Sequence, residues 1–305
     1  MDYKYMQFIS KFSKFYETVE EFNLRKELFI ANDAVIEAQN AKQSGYTAGH
    51  NYISDWITEE KESMLGIVND LEDEEAEIFS GVPNSTGIDW RNTKDVVTPV
   101  KNQGQCGSCW AFSTIEATES AYVIAGNEQV IMAPQELVDC NNGLGGNNGC
   151  NGGWYYTAYK WLKKNPTMRE SDYPYVSGET KKGGKCHEDK SEGVTEVSSY
   201  KQVSKNTDSI KAAIEIGPVN VAVSAGNDIW YNYTSGIVTE ADHCPTRVDH
   251  AVVAVGWGVE GDQEYYIVRN SWDTTWGDKG YIKIATADGK KGVCGINSAV
   301  YYPII

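Results

Sequence analysis

The chain has 305 residues, which at about 150 residues per folded unit argues for two units. Hydrophobic residues make up 41% and charged residues 23%, so disorder and fibrous structure are not indicated, and no run of 18 apolar residues is present to span a bilayer. A net charge of −16 argues against nucleic acid or an anionic membrane as the main partner.

Residues 1–83 carry −10 of that charge, so the first quarter of the chain differs in character from the rest. Phe8, Phe12, Phe15 and Tyr16 recur at helical spacing. Glu21, Arg25, Phe29, Asn32, Ile36 and Asn40 follow at steps of four, four, three, four and four, which keeps all six near one face of a second helix. Gly45 closes that signal, and residues 49–55 read as a short extended piece with turns. Six acids crowd positions 70–77, a run that reads as an exposed linker. The breaker cluster at 82–87 marks a boundary.

Residues 108–125 read as one helix, apolar on most sides and therefore buried, with Gly126 closing it. Residues 141–153 hold six glycines and five asparagines and read as a long irregular loop. The last third changes period. Residues 219–223, 251–255, 265–268 and 281–284 are short β-rich runs separated by Gly, Asp and Asn. Helices followed by strands indicate an α+β protein of two lobes, with a pocket between them.

All seven cysteines lie beyond residue 100, and the odd number allows three disulfides with one free thiol, or no disulfides at all. Asn84 and Asn232 each open an Asn-x-Ser/Thr triplet, so both are candidate N-glycosylation sites on a secretory route. The amino terminus carries no apolar signal segment, so a secreted form is expected to have lost one.

Cys109 falls on the first turn of the buried helix, where the positive helix end favours thiolate. Four histidines are present. His50 lies in the acidic leader, and His187 and His243 adjoin cysteines in loop-like sequence. His250 opens a β-rich run, a rigid place for a base beside a nucleophile. Asn270 follows the next strand and can orient an imidazole without adding charge.

Cys-Gly-Ser-Cys-Trp at 106–110, with His250 and Asn270 lying 141 and 161 residues after Cys109, resembles the signature of papain-like cysteine peptidases. The six spaced residues of 21–40 resemble the helix motif of cathepsin L-like inhibitory propeptides. Gly49, Asn51, Ile53 and Asp55 resemble its second motif, with Ile standing for Phe. Matching blocks at 89–91, 135–140, 149–153 and 277–281 carry the likeness over almost the whole chain. It implies a latent cysteine endopeptidase of α+β class, with a mature papain-like domain at 83–305. That domain is expected to divide into a mostly helical lobe (about 95–195) and an antiparallel, β-barrel-like lobe (about 196–305). A mainly helical propeptide at 1–82 is expected to precede it, with 62–82 extended across the cleft.

The resemblance makes Cys109 the nucleophile and His250 its base and later acid. Asn270 orients His250 under Trp272, and Gln103 serves as oxyanion donor. It pairs Cys106 with Cys150, Cys140 with Cys186, and Cys244 with Cys294, leaving Cys109 free. Trp154, Tyr155, Ala222, Val248, Ala251 and Ala299 become the S2 pocket, uncharged and suited to a bulky apolar P2 residue. Gly152, Gly153 and Asp249 join them in binding substrate. Met64, Leu65, Gly66 and Ile67 are expected to cross the centre, Gly66 near Cys109 and Ile67 near the S2 pocket. Asp273 departs from the usual glycine.

A thioredoxin-like Cys-x-x-Cys pair, half a zinc site, a phosphate loop and a catalytically silent relative are weaker readings. The first lacks a following βαβ pattern, the second a further close cysteine pair, the third a Gly-Lys-Ser/Thr. The last is disfavoured because all four catalytic positions are filled. No paired-histidine insertion is present, which favours endopeptidase over exopeptidase. No metal or cofactor is implied. The implied partners are protein and peptide substrates, the chain's own propeptide and cystatin-type inhibitors, with a monomer as the expected state and neither nucleic acid nor membrane involved. Acid is expected to release the leader by protonating paired carboxylates, Glu21 with Arg25 being a candidate pair. The cut should fall between Phe79 and Gly87, and the location should be a lysosome, an acidic vacuole or the extracellular space.

Overall fold

Two helices begin the chain. In α1 (Asp2–Lys11), Tyr5 and Phe8 are buried against Phe29 of α2 (Val19–Ala41), with ring centroids 5.2 and 4.8 Å away. The computed structural model describes residues 1–68, 75–143 and 146–305. The first helix is shorter than its aromatic spacing suggests: Ser13 takes a φ of 51°, the chain turns, and Phe15 is 84% exposed. Thr18 then caps α2 by accepting the Glu21 amide at 3.1 Å.

The short strand β1 (Tyr46–Ala48) is held to α2 by Asn40, whose side chain donates to the Ala48 carbonyl and accepts its amide, both at 2.9 Å. Helix α3 (Thr58–Glu62) and strands β2 (Glu77–Phe79) and β3 (Ile88–Asp89) follow. Residues 70–74 of the expected acidic linker lie outside the described residues. Glu77 is not linker: it begins β2 and pairs with Lys201 at 3.1 Å.

The helical lobe is built on α4 (Cys109–Ile124), whose first twelve residues are all buried. Around it stand α5 (Pro134–Cys140), α6 (Tyr155–Leu162) and α7 (Ser177–Thr180). The glycine- and asparagine-rich stretch before α6 is pinned by Asn147, which accepts the Trp154 amide at 2.7 Å and donates to the Trp154 carbonyl at 3.0 Å.

The sheet lobe adds β4 (Ser199–Val203), α8 (Thr207–Ile216), β5 (Val219–Val223), α9 (Asp228–Asn232) and β6 (Tyr233–Val238). The last strands are β7 (His250–Glu260), β8 (Gln263–Arg269), β9 (Tyr281–Ala285) and β10 (Val300–Ile304). Strand order is β1-β6-β9-β8-β7-β5-β10-β4-β2, with β3 beside β7. The sheet is open rather than closed into the barrel-like form the resemblance suggested. It is also mixed, since β6 with β9 and β2 with β4 run parallel. Ile36, Tyr46, Ile53 and Met64 of the leader share one continuous apolar core with β5, β7 and β8, so leader and sheet lobe bury each other's surface. Among the described residues no helix is long and apolar enough to cross a membrane.

Candidate active site

Cys109 opens α4 and is fully buried, as is His250 at the start of β7. The Ala251 amide donates to the Cys109 sulfur at 3.4 Å, so the helix start meets the strand start across the groove between the lobes. Asn270 lies just beyond β8, with its side-chain oxygen 2.8 Å from His250 Nε2. The same oxygen accepts the Ser271 amide at 2.8 Å, which fixes the orientation of the Asn270 side chain. His250 Nε2 is therefore the protonated nitrogen, and buried Nδ1 is left with a lone pair and no hydrogen-bond partner. Trp272 covers the imidazole with ring centroids 4.8 Å apart, and is itself fully buried.

Gln103 is held from behind by the Ser271 hydroxyl, which donates to its side-chain oxygen at 2.7 Å. Its nitrogen donates to the carbonyls of Met64 and Cys106 at 2.7 and 2.8 Å. Ser271 stands beside Asn270 in the sequence, and that adjacency is the one signal from which its positioning part was readable.

The leader fills the groove. The Gly66 and Ile67 amides donate to the Asp249 carbonyl at 3.0 and 2.9 Å, and Gly153 donates to the Gly66 carbonyl at 2.8 Å. Trp154 donates to the Val68 carbonyl at 3.0 Å. A Cβ on Gly152 would lie 2.8 Å from the Gly66 oxygen, so the bare backbone there admits the leader, whereas Gly153 is bare because Asn147 fills that space. Ile67, Val248 and Ala299 are partly buried against one apolar cluster that holds Trp154, Tyr155, Ala222 and Ala251, the last three almost wholly buried. Asp249 contributes its carbonyl to the leader, and its carboxylate accepts the Ala225 amide at 2.7 Å.

This covering changes the electrostatics. Burial pushes the Cys109 thiol up to about 12, against amide hydrogen bonds from Ala251 and Gly66 that pull it down. Burial lowers His250 to about 4, opposed by its hydrogen bond to Asn270. Burial by the leader thus favours the neutral form of each group.

The leader's own fold rests on charges inside it. Arg25 is bidentate to Glu60, with Nη2 at 2.8 Å from Oε1, and also donates to the Asp55 carbonyl at 3.1 Å. The expected Glu21–Arg25 ion pair is present at 3.6 Å, and Glu60 joins it as the closer partner of Arg25. Lys14 reaches the Asp55 carboxylate at 2.8 Å, and Tyr16 also donates to it. Phe29 stacks on His50 with centroids 4.1 Å apart. Asn51 donates to the Tyr231 carbonyl at 2.7 Å, Ile53 is fully buried, and Gly49 abuts Thr234. Asn32 donates to the Asn232 side chain at 2.8 Å. Of the two candidate glycosylation positions, Asn232 is 1% exposed under the leader, whereas Asn84 is exposed.

Disulfides join Cys106–Cys150, Cys140–Cys186 and Cys244–Cys294, and Cys109 is free. Among the described residues, one trio of possible metal ligands occurs, Cys140, Cys186 and Glu188, but its two sulfurs are bonded to each other. Asp273 takes a φ of 66°, the left-handed region that suits glycine, and its carboxylate accepts the Thr275 amide at 2.9 Å.

A two-lobed cysteine protease folded together with a segment that blocks its cleft is the class these features define. The chain belongs to the papain family of cysteine proteases: residues 83–304 match that family's profile, and residues 5–60 match the cathepsin propeptide inhibitor domain. It is 40% identical to cysteine protease XCP2 of Arabidopsis thaliana, over 97% of this chain and 84% of that protein. It is 36% identical to digestive cysteine proteinase 1 of Homarus americanus, over 98% and 94%. Digestive procathepsin L 3 of Tenebrio molitor larval midgut superposes with a TM-score of 0.88 at 32% identity, covering 100% of this chain and 99% of that one. A recombinant stem bromelain precursor gives 0.87 at 30%, covering 99% and 98%. The protein is a cysteine endopeptidase in zymogen form.

Proposed function

We propose that the mature enzyme, residues 83–305 or a slightly shorter form, cleaves internal peptide bonds by attack of Cys109 sulfur on the scissile carbonyl. His250 takes the thiol proton at Nδ1, the side facing away from Asn270, and returns it to the leaving amine. The carbonyl carbon is then held as a thioester. Water attacks that thioester with His250 again accepting a proton, which frees the acid product and restores the thiol. Gln103 Nε2 and the Cys109 amide donate to the oxyanion. The reading is carried by one observation: the sulfur at a helix start lies within hydrogen-bond reach of Ala251, the residue after a histidine locked in one tautomer.

The packing of Ile67 against the apolar cluster of Trp154, on which Val248 and Ala299 also pack, supports a preference for an apolar P2 side chain. Acid release of the leader is supported by its paired carboxylates, buried Asp33 and half-buried Glu60, both held below their ordinary values. Three disulfides support an oxidising compartment, an acidic vacuole or the exterior.

The test is incubation at pH 4–5, followed by a thiol-directed epoxide and peptide mapping. Label confined to Cys109 with loss of peptidase activity is the expected result. Label at Cys106 as well, or hydrolysis that survives Cys109→Ala, overturns the mechanism.

A further inference from the structure

Ile67 does not fill the space it enters. A cavity of about 540 Å³ extends past its side chain, with Trp154 and Val248 as its apolar floor. Beyond that floor the lining is cationic: Lys205, Arg247, Lys290 and Lys291 all face the same cavity. All four are exposed, and among the described residues none has a carboxylate within ion-pair distance. The nearest carboxylate along the chain from Arg247, that of Asp249, is more than an ion-pair distance from it and accepts the Ala225 and Gly226 amides. Four cations around one opening, none ion-paired among the described residues, are conspicuous in a protein of net charge −16, where acids outnumber bases 43 to 27. They come from three separate loops that the fold brings together, and no spacing in the sequence joins them.

We propose that this rim extends the S2 pocket into a site for carboxylate-bearing side chains, so that the enzyme accepts glutamate at P2 as well as apolar residues. The proposal deepens the peptidase reading and rests on it. A glutamate lays its two methylenes along Trp154 and Val248, where Ile67 lies, and brings its carboxylate to the cations. The field of like charges at a concave opening also concentrates acidic substrates before they bind. Because the cations stay in water, the gain is modest and screened by salt.

The experiment compares peptides that differ only at P2, with Leu, Glu or its neutral isostere Gln, cleaved by the acid-activated full chain. Expected is a kcat/KM for Glu about five-fold above Gln at low ionic strength, falling toward equality at high salt. The charge reversal Lys290→Glu with Lys291→Glu should push the ratio below one. A wild-type ratio at or below one, or a ratio unmoved by charge reversal, overturns the proposal. Failure to cleave the Leu peptide would instead count against the peptidase reading. A second measurement is independent of catalysis: in the intact zymogen, Ile67→Glu should unfold at a higher temperature than Ile67→Gln at low salt. Equal unfolding temperatures overturn the proposal as well.

Discussion

Gly66 stands so close over Cys109 that a Cβ on it would lie 3.0 Å from the sulfur and 2.2 Å from the Gly107 carbonyl oxygen. The second figure is a backbone clash that no rotamer relieves. Gly66→Ala should therefore lift this stretch of the leader at a cost of about 1–3 kcal/mol, the usual range for overpacking. The expected outcome is a leaky zymogen, with at least five-fold faster alkylation of Cys109 at neutral pH and measurable hydrolysis of small peptides before any processing.

The Arg25–Glu60 pair is the tie between α2 and α3. Removing one partner leaves the other charge half-buried without compensation. Glu60→Gln and Arg25→Ala should each lower leader stability by about 2–4 kcal/mol. Arg25→Lys should rescue only part, since an ammonium cannot reproduce the fork. Differential scanning of the intact chain, together with the highest pH at which self-processing begins, measures both effects.

Acid should act on the two parts of the chain in opposite directions. Burial raises Asp33, but hydrogen bonds from Lys4 and His50 outweigh it, and its net value is below the ordinary 3.8. Burial likewise raises Glu60, and the Arg25 hydrogen bond brings it below 4.5. Depressed carboxylates stabilise above their unfolded values and lose that stabilisation as pH falls through the folded ones. Burial also lowers His50 below 6.5, so the unfolded leader takes up that proton first and the loss begins near pH 6.5. In the catalytic domain His250, lowered by burial, acts in the same direction as His50, but a buried carboxyl there has the opposite sign. Burial lifts Glu136 to about 7, so this group stabilises the fold below 4.5 and loses that effect as pH rises toward 7. Thermal scans from pH 7 to 4 should show the leader's transition falling while that of the catalytic domain holds or rises. His50→Gln should move the start of the leader's decline to lower pH.

Asp273 occupies a backbone position that costs a non-glycine residue about 1 kcal/mol, softened here by its hydrogen bond to Thr275. Asp273→Gly is expected to raise the stability of the catalytic domain by up to about 1 kcal/mol without changing kcat. Chemical denaturation of the activated enzyme checks the first, and peptide hydrolysis the second.

Produced in a glycosylating host, the intact protein should carry glycan at Asn84 and none at Asn232. Mass mapping of the two tryptic peptides tests this. A glycan on Asn232 would have to be attached at its side-chain nitrogen, which is buried in the intact chain.

What the sequence disclosed follows from what a period can encode. Arg25, Phe29, Asn32 and Ile36 share a helix face, so their common direction was readable, although what each touches was not. Glu60, Lys14 and Tyr16 complete the same charged cluster from segments without periodicity, and only the fold brings them within reach. Strands β1 and β2 have three residues each, too few for an alternation to register. Phe15 kept its helical spacing but not its helix, because Ser13 turned the chain first. The uncharged S2 residues were legible by resemblance, whereas the cationic rim is assembled from loops and was not.

The terminal positions in the strand order carry a last implication. Both β1 and β2 come from the leader, one closing the sheet beside β6 and the other beside β4. Any cut between Phe79 and Gly87 that releases the leader thus strips a neighbour from each side at once, leaving rows of backbone amides and carbonyls with only water to satisfy them. The working enzyme is then born with a pair of adhesive selvedges that its precursor never shows, and crowding at high concentration is the hazard that late trimming postpones.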